Sequence, residues 1–125
     1  MTSTRIILVA LALIEGLWMT FDGAHALTVG DYVTQSTGSH AGELGPWSRI
    51  VAAVGIPPRS TAMKVVFVVY GLSWLVIAIA FLRRAQWAWL AMFVASVATL
   101  WYLPVGTLIG FIQLALLLGL LVRPD

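Results

Sequence analysis

Long apolar blocks separated by short polar segments make up most of the chain. Each block approaches the ~17–25 residues that an α-helix needs to cross a hydrocarbon core about 30 Å thick. The apolar residues are continuous within a block, whereas barrel strands alternate apolar and polar positions over about 10 residues. The pattern predicts an all-α membrane protein, a bundle of transmembrane helices at about residues 5–25, 61–82, 86–103 and 105–122.

Polar and helix-breaking residues mark the ends of these blocks. Ser60 and Thr61 are N-cap candidates for the second helix, and Arg83 and Arg84 close it. Residues 85–122 contain no charged residue, and as a single helix they would be roughly twice as long as the bilayer core is thick. We therefore expect the chain to fold back at Pro104, which lacks a backbone N–H and clashes with the preceding turn.

An outer loop, at about residues 26–60, is the only sizeable segment outside the predicted spans. It is too short and too polar to form an independent core, so we expect it to lean on the bundle and the whole chain, 1–125, to be one membrane domain. Residues 46–54 are predicted to form a short helix that ends at Gly55. Trp47, Ile50 and Val51 share one side of it, which favours a position in the lipid headgroup layer.

The composition points to lipid as the solvent of this chain. Hydrophobic residues make up 61% of it and charged residues 10%, whereas soluble domains have about 25% charged residues. The mean hydropathy is +0.98. Cysteine is absent, which excludes structural disulfides, thiolate metal sites and thiol redox chemistry.

Basic residues indicate the orientation. Four spans place both termini and the turn at Arg83 and Arg84 on one side, which collects most of the basic residues found in short segments. Because such residues favour the cytoplasm, we expect a multi-pass protein of the cell inner (plasma) membrane with both termini cytoplasmic. The residues concerned are Arg5, Arg83, Arg84 and Arg123, against Arg49, Arg59 and Lys64 on the other side.

The first block also imitates a secretory signal peptide. Arg5 precedes an apolar run, and Ala24, His25 and Ala26 form an A-x-A sequence. The stretch before Ala26 is long and bulky for a cleavage region. We therefore expect an uncleaved first helix.

A polar layer inside the bundle is the main candidate for a functional site. Glu15, Tyr70, Ser96 and Gln113 come from the four predicted spans and lie at a common depth, roughly 10–12 Å below the outer surface. An ionisable group at such depth needs a polar partner or cavity. The layer is either a structural clamp or a binding or proton-linked site, and Trp18 and Trp74 could line an apolar pocket beside it.

A second group of polar residues is predicted near the outer face: Asp22, His25, Arg59 and Lys64. Asp22 and His25 have a spacing that occurs in metal sites of helical bundles, with His40 and Glu43 as further candidate ligands. Such sites draw carboxylates from several helices, and here no other span offers one. We therefore predict no metal, and an ion pair of Asp22 with Lys64 or Arg59.

No catalytic motif is present, so the sequence favours a protein that is not an enzyme. Our hypothesis is a membrane subunit that acts as an accessory protein or binds a ligand, with membrane lipid and a small apolar ligand or a larger membrane complex as partners. No cofactor and no nucleic acid are expected, and a homodimer through Gly106 and Gly110 is an alternative to a tight packing of these residues against the third span. The competing hypothesis is a proton-coupled transporter or a small membrane enzyme that uses Glu15.

Overall fold

The computed structural model describes residues 3–32, 44, 46–102 and 105–122. Within these ranges the fold is all-helical and contains no strand. The helices are α1 (Ser3–Val29), α2 (Trp47–Ala53), α3 (Thr61–Leu82), α4 (Ala88–Ala98) and α5 (Val105–Val122). Pro104 and residues 33–43 and 123–125, which include His40, Glu43 and Arg123, lie outside the described residues.

Helix α1 is longer than the sequence predicts. It continues past residue 25 to Val29 and ends where Gly30 takes a φ of +106°, a conformation that glycine adopts without steric cost. Lys64 Nζ donates a hydrogen bond of 2.8 Å to the Gly30 carbonyl. A cation at a helix C-terminus is favourable for the helix dipole, so α3 helps to fix the end of α1.

Helix α4 is shorter than the predicted span at residues 86–103. Its 11 residues are about 16 Å long. Thr99 and Ser96 turn their hydroxyls back to the Ala95 and Met92 carbonyls at 2.7 Å, which weakens continuation of a regular helix. From Thr99 to Tyr102 the backbone continues in tight turns with hydrogen bonds to the third residue before.

Close backbone contact joins α1 to α3. A Cβ built on Gly71 would meet the backbone and side chain of Thr20, and the Gly16 carbonyl at 2.8 Å. At Gly23 a Cβ would lie 2.9 Å from the Val68 nitrogen. Small residues of this kind let two helices approach closely, and the sequence carries that signal in the spacing of Gly16, Thr20 and Gly23.

Helices α1, α3, α4 and α5 alternate in direction. Arg5 Nη2 bonds to the Phe81 carbonyl at 2.9 Å, which pairs the start of α1 with the end of α3. Trp89 Nε1 bonds to the Leu117 carbonyl at 3.0 Å, which pairs the start of α4 with the end of α5. We call the end of the bundle that holds α2 and residues 99–102 the cap end, and the end that holds Arg83 and Arg84 the arginine end.

Gly106 and Gly110 of α5 face the end of α4 and the turns that follow it. Cβ atoms on Gly106 and Gly110 would approach the Thr99 and Ser96 carbonyls at 2.6 and 3.0 Å. The two residues are thus covered within the chain. The alanines of α4 that follow Ala88 line cavities beside α3 instead.

Helix α2 packs against the cap end rather than standing away from it. Trp47 is 4% exposed, and its ring lies 4.7 Å from that of Phe67 and 5.2 Å from that of Tyr32 between centroids. Tyr102 and Met19 belong to the same cluster. Trp47 therefore stabilises the loop through an aromatic core, whereas Val54, just beyond the helix, is 70% exposed.

Apolar side chains cover the outside of the bundle, and several polar ones lie inside it. The outward-facing residues include Ile14, Phe21, Val69, Val76, Leu90, Val94, Phe111 and Leu121. The buried polar residues are Glu15, Asp22, Ser96, Thr99 and Gln113. Helices α1 and α3 are long and apolar enough to span a membrane.

Candidate functional site

Glu15 is a buried carboxyl on α1, at the middle of the bundle. Its side chain is 1% exposed, and both carboxyl oxygens lack a hydrogen-bond partner among the described residues. Burying a polar group without a hydrogen bond costs roughly 1–3 kcal/mol by mutational data, and a charge costs far more. The described residues around Glu15 therefore leave the hydrogen-bonding capacity of its carboxyl unused.

Ser96 and Gln113 form the second part of the predicted layer. Ser96 Oγ lies 3.2 Å from Gln113 Oε1, and both residues are 0% exposed. The amide nitrogen of Gln113 has no partner in the described part of the chain. This nitrogen is thus a second unused hydrogen-bonding group in the interior.

Glu15 and Gln113 lie on two helices that contact each other, α1 and α5. Below them, towards the arginine end, Ala12 of α1 and Leu117 of α5 belong to one buried cluster. Glu15 lies about one turn above Ala12, and Gln113 about one turn above Leu117, because α1 and α5 run in opposite directions. The unpartnered carboxyl and the unpartnered amide thus lie on neighbouring helices, both on the cap side of this cluster.

The remaining predicted residues of this site bond elsewhere. Tyr70 donates to the Ala98 carbonyl at 2.8 Å and accepts from Trp101 Nε1 at 3.2 Å. Trp74 is 1% exposed and donates to Thr99 Oγ1 at 3.3 Å. These contacts join α3 to the end of α4 rather than to Glu15.

Tyr102 is a residue of this region that the sequence analysis missed. Its hydroxyl accepts a hydrogen bond of 2.8 Å from Trp18 Nε1 and is close enough to Glu15 and Asp22 to interact with both electrostatically. In the sequence Tyr102 lies just before Pro104, a position typical of an interface residue. Its position over α1 depends on the fold of the α4–α5 connection, which no local pattern reveals.

Asp31 contacts two residues of the predicted polar cluster at the cap end, His25 and Arg59. Arg59 Nε lies 3.0 Å from Asp31 Oδ1, and His25 Nδ1 lies 2.7 Å from the Asp31 carbonyl. Burial slightly opposes ionisation of Asp31, but the hydrogen bonds from Arg59 and from the Tyr32 backbone hold the pKa of Asp31 below its usual value. Arg59 bonds to the Asp31 carboxylate and Lys64 to the Gly30 carbonyl.

The described residues contain no group of three or more histidine, cysteine or acidic side chains that could hold a metal ion. His40 and Glu43, the further candidate ligands for Asp22 and His25, lie outside the described residues. No protein-family model matches the chain, and comparison with curated proteins and with solved structures also finds no match. The site therefore has to be interpreted from its own chemistry.

Proposed function

We propose that the protein is an integral membrane protein of the inner membrane that crosses the bilayer four times, with α2 at the outer headgroup layer. The support is the distribution of side chains, which is the reverse of that in a soluble protein: apolar side chains face outwards and several polar ones are buried. Large apolar residues such as Leu17, Val76 and Phe111 are more than half exposed, and contiguous apolar surface of this extent is rare on soluble monomers. Helix α5, at about 27 Å, nearly matches a hydrocarbon core. Helix α4 is shorter, and in this proposal it crosses the hydrocarbon core together with the tight turns of residues 99–102.

Within this bundle, we propose that Glu15 is the recognition group for a small, mostly apolar ligand that carries a hydrogen-bonding group. One observation carries the proposal: the Glu15 carboxyl is fully buried and neither oxygen has a partner among the described residues. The unpaired nitrogen of Gln113, on the neighbouring helix α5, would supply a second contact. Apolar pockets with a few polar groups are typical of small-molecule sites.

A structural clamp is the simpler alternative, and its geometry would differ. A carboxyl that holds helices in register bonds to those helices, as Trp74 and Tyr70 do at the α3–α4 contact. Glu15 makes no such bond to the described residues. The absence of hydrogen bonds from Glu15 to the described residues favours a bound ligand as its partner.

The test uses dicyclohexylcarbodiimide, an apolar reagent that modifies protonated carboxyls reached from lipid. Purified protein in detergent is labelled and Glu15 is located by peptide mass spectrometry, with Asp31 as the exposed, ion-paired control. We expect labelling of Glu15, loss of labelling in Glu15→Gln, and protection when membrane extract is added. Equal labelling with and without every extract fraction would contradict a ligand at Glu15.

A second candidate, proton-coupled transport, is favoured by the position of Tyr102. This hydroxyl is within electrostatic range of both Glu15 and Asp22. The three ionisable side chains would then follow one another from the middle of the bundle towards the cap end. Proteoliposomes with an internal pH dye distinguish the candidates. Transport predicts a proton flux that disappears in Glu15→Gln, whereas a binding protein shows no flux in either form.

A further inference from the structure

An apolar groove runs between α3 and α4 on the outside of the bundle. Its larger part has a volume of about 480 Å³, and a cavity of about 200 Å³ continues it towards the cap end. The two parts share Val69 and Ser73. The groove is open because the α4 residues that line it are alanines, whose methyl side chains are too short to fill the space up to α3. The α4 side of the groove consists of Trp87, Ala91, Ala95 and Ala98.

The groove has the dimensions of one acyl chain in one leaflet. From Trp87 to Ala98 it follows α4 for about 16 Å, and half of a hydrocarbon core is about 15 Å thick. Its lining is almost wholly apolar, with Ile77 and Trp87 at the arginine end. A hydrocarbon chain could therefore lie along it without burying polar groups.

Two cations follow α3 at the arginine end, the end at which Ile77 and Trp87 line the groove. Arg83 and Arg84 form the turn between α3 and α4 and are both exposed. Neither guanidinium makes a hydrogen bond or an ion pair with another residue that the structure describes. Trp87, three residues on, is 53% exposed, as expected for an indole at the headgroup level.

We propose that this groove binds one anionic glycerophospholipid, with an acyl chain between α3 and α4 and the phosphate at Arg83 and Arg84. Charge complementarity selects the occupant, because a net negative headgroup neutralises two basic side chains that have no partner within the described chain. A zwitterionic lipid would fill the same groove without that gain. The proposal rests on the membrane placement given above and is independent of a ligand at Glu15.

Nanodiscs that contain equal amounts of phosphatidylglycerol and phosphatidylcholine test the proposal. The protein is released from them and its retained lipids are counted by native mass spectrometry. We expect one phosphatidylglycerol per chain, and we expect Arg83→Gln and Arg84→Gln each to lower its enrichment about fivefold and the double variant about 25-fold, since a basic residue near the surface contributes roughly this much. Ala91→Leu, which fills the groove, should also lower retention.

The controls separate a built site from general attraction of charge. Arg49→Gln removes an exposed cation at the cap end, and Val97→Leu enlarges an exposed side chain of α4 outside the groove; both should retain the lipid as the wild type does. Equal retention in the double arginine variant, or an equal loss in Arg49→Gln, would overturn the proposal. Failure of the chain to enter nanodiscs would instead contradict the membrane placement.

Discussion

At the scale of single residues, Glu15 and Asp31 are two carboxyls in opposite environments. Glu15 is buried in the bundle without a bond to the described residues, whereas Asp31, just beyond the end of the helix, is 44% exposed and bonded to Arg59 and the Tyr32 N–H. The exposed carboxyl is therefore a structural contact of modest strength. The buried one has the environment of a binding group, because nothing described compensates for its burial.

The ion pair of Asp31 with Arg59 should contribute to stability in a pH-dependent way. Because the pKa of Asp31 is lowered in the folded protein, its contribution is present above the unfolded pKa and is lost as the pH falls through the folded value. We expect Asp31→Asn to cost about 0.2–1 kcal/mol at neutral pH, as exposed pairs do, and nothing near pH ~2. Unfolding in detergent, followed by tryptophan fluorescence at both pH values, measures it. An unchanged difference at low pH would show that the charge is irrelevant.

At the scale of helices, glycine decides which pairs pack closely. The α1–α3 contact depends on Gly16, Gly23 and Gly71, where backbone meets backbone. The α4–α5 hairpin depends on Gly106 and Gly110. Between α3 and α4 the small residues are alanines beside an open groove, so this contact has space that the other two lack.

Gly71→Ala should separate α1 from α3. The added methyl group would meet the Thr20 backbone and the Gly16 carbonyl, and backbone atoms cannot rotate away, so we expect a loss of about 1–3 kcal/mol. Gly119→Ala on α5 is the matched control, because nothing lies within 4 Å of its Cβ position and the change adds at most about 1 kcal/mol of helix propensity. Thermal stability in detergent compares the two. Equal melting temperatures would contradict the close α1–α3 contact.

At the scale of the whole molecule, the bundle has a cap end and an arginine end with different chemistry. The cap end holds α2, the aromatic cluster around Trp47 and the polar contacts of Asp31. The arginine end holds the exposed turn at Arg83 and Arg84. This difference, together with the preference of basic residues for the cytoplasmic side, is the basis of the orientation that we propose.

Single cysteines test that orientation, since the native chain has none. Ala53→Cys lies at the exposed end of α2, and Gln86→Cys in the turn between α3 and α4. With intact cells, an impermeant maleimide should label the first variant and leave the second unlabelled until the membrane is broken. Labelling of Gln86→Cys from outside would reverse the orientation. Labelling of both from the same side would contradict the four crossings.

The sequence by itself predicted the helical fold, since continuous apolar blocks in a chain with 10% charged residues need helices to satisfy their backbone groups. It singled out Glu15 for the same reason, because a carboxyl inside an apolar block is conspicuous. The partners of polar side chains required the tertiary structure. Tyr102 beside Trp18, Asp31 beside Arg59 and Ser96 beside Gln113 are separated in sequence by 84, 28 and 17 positions, and only the packing of the helices brings such groups within the few ångströms at which hydrogen bonds form.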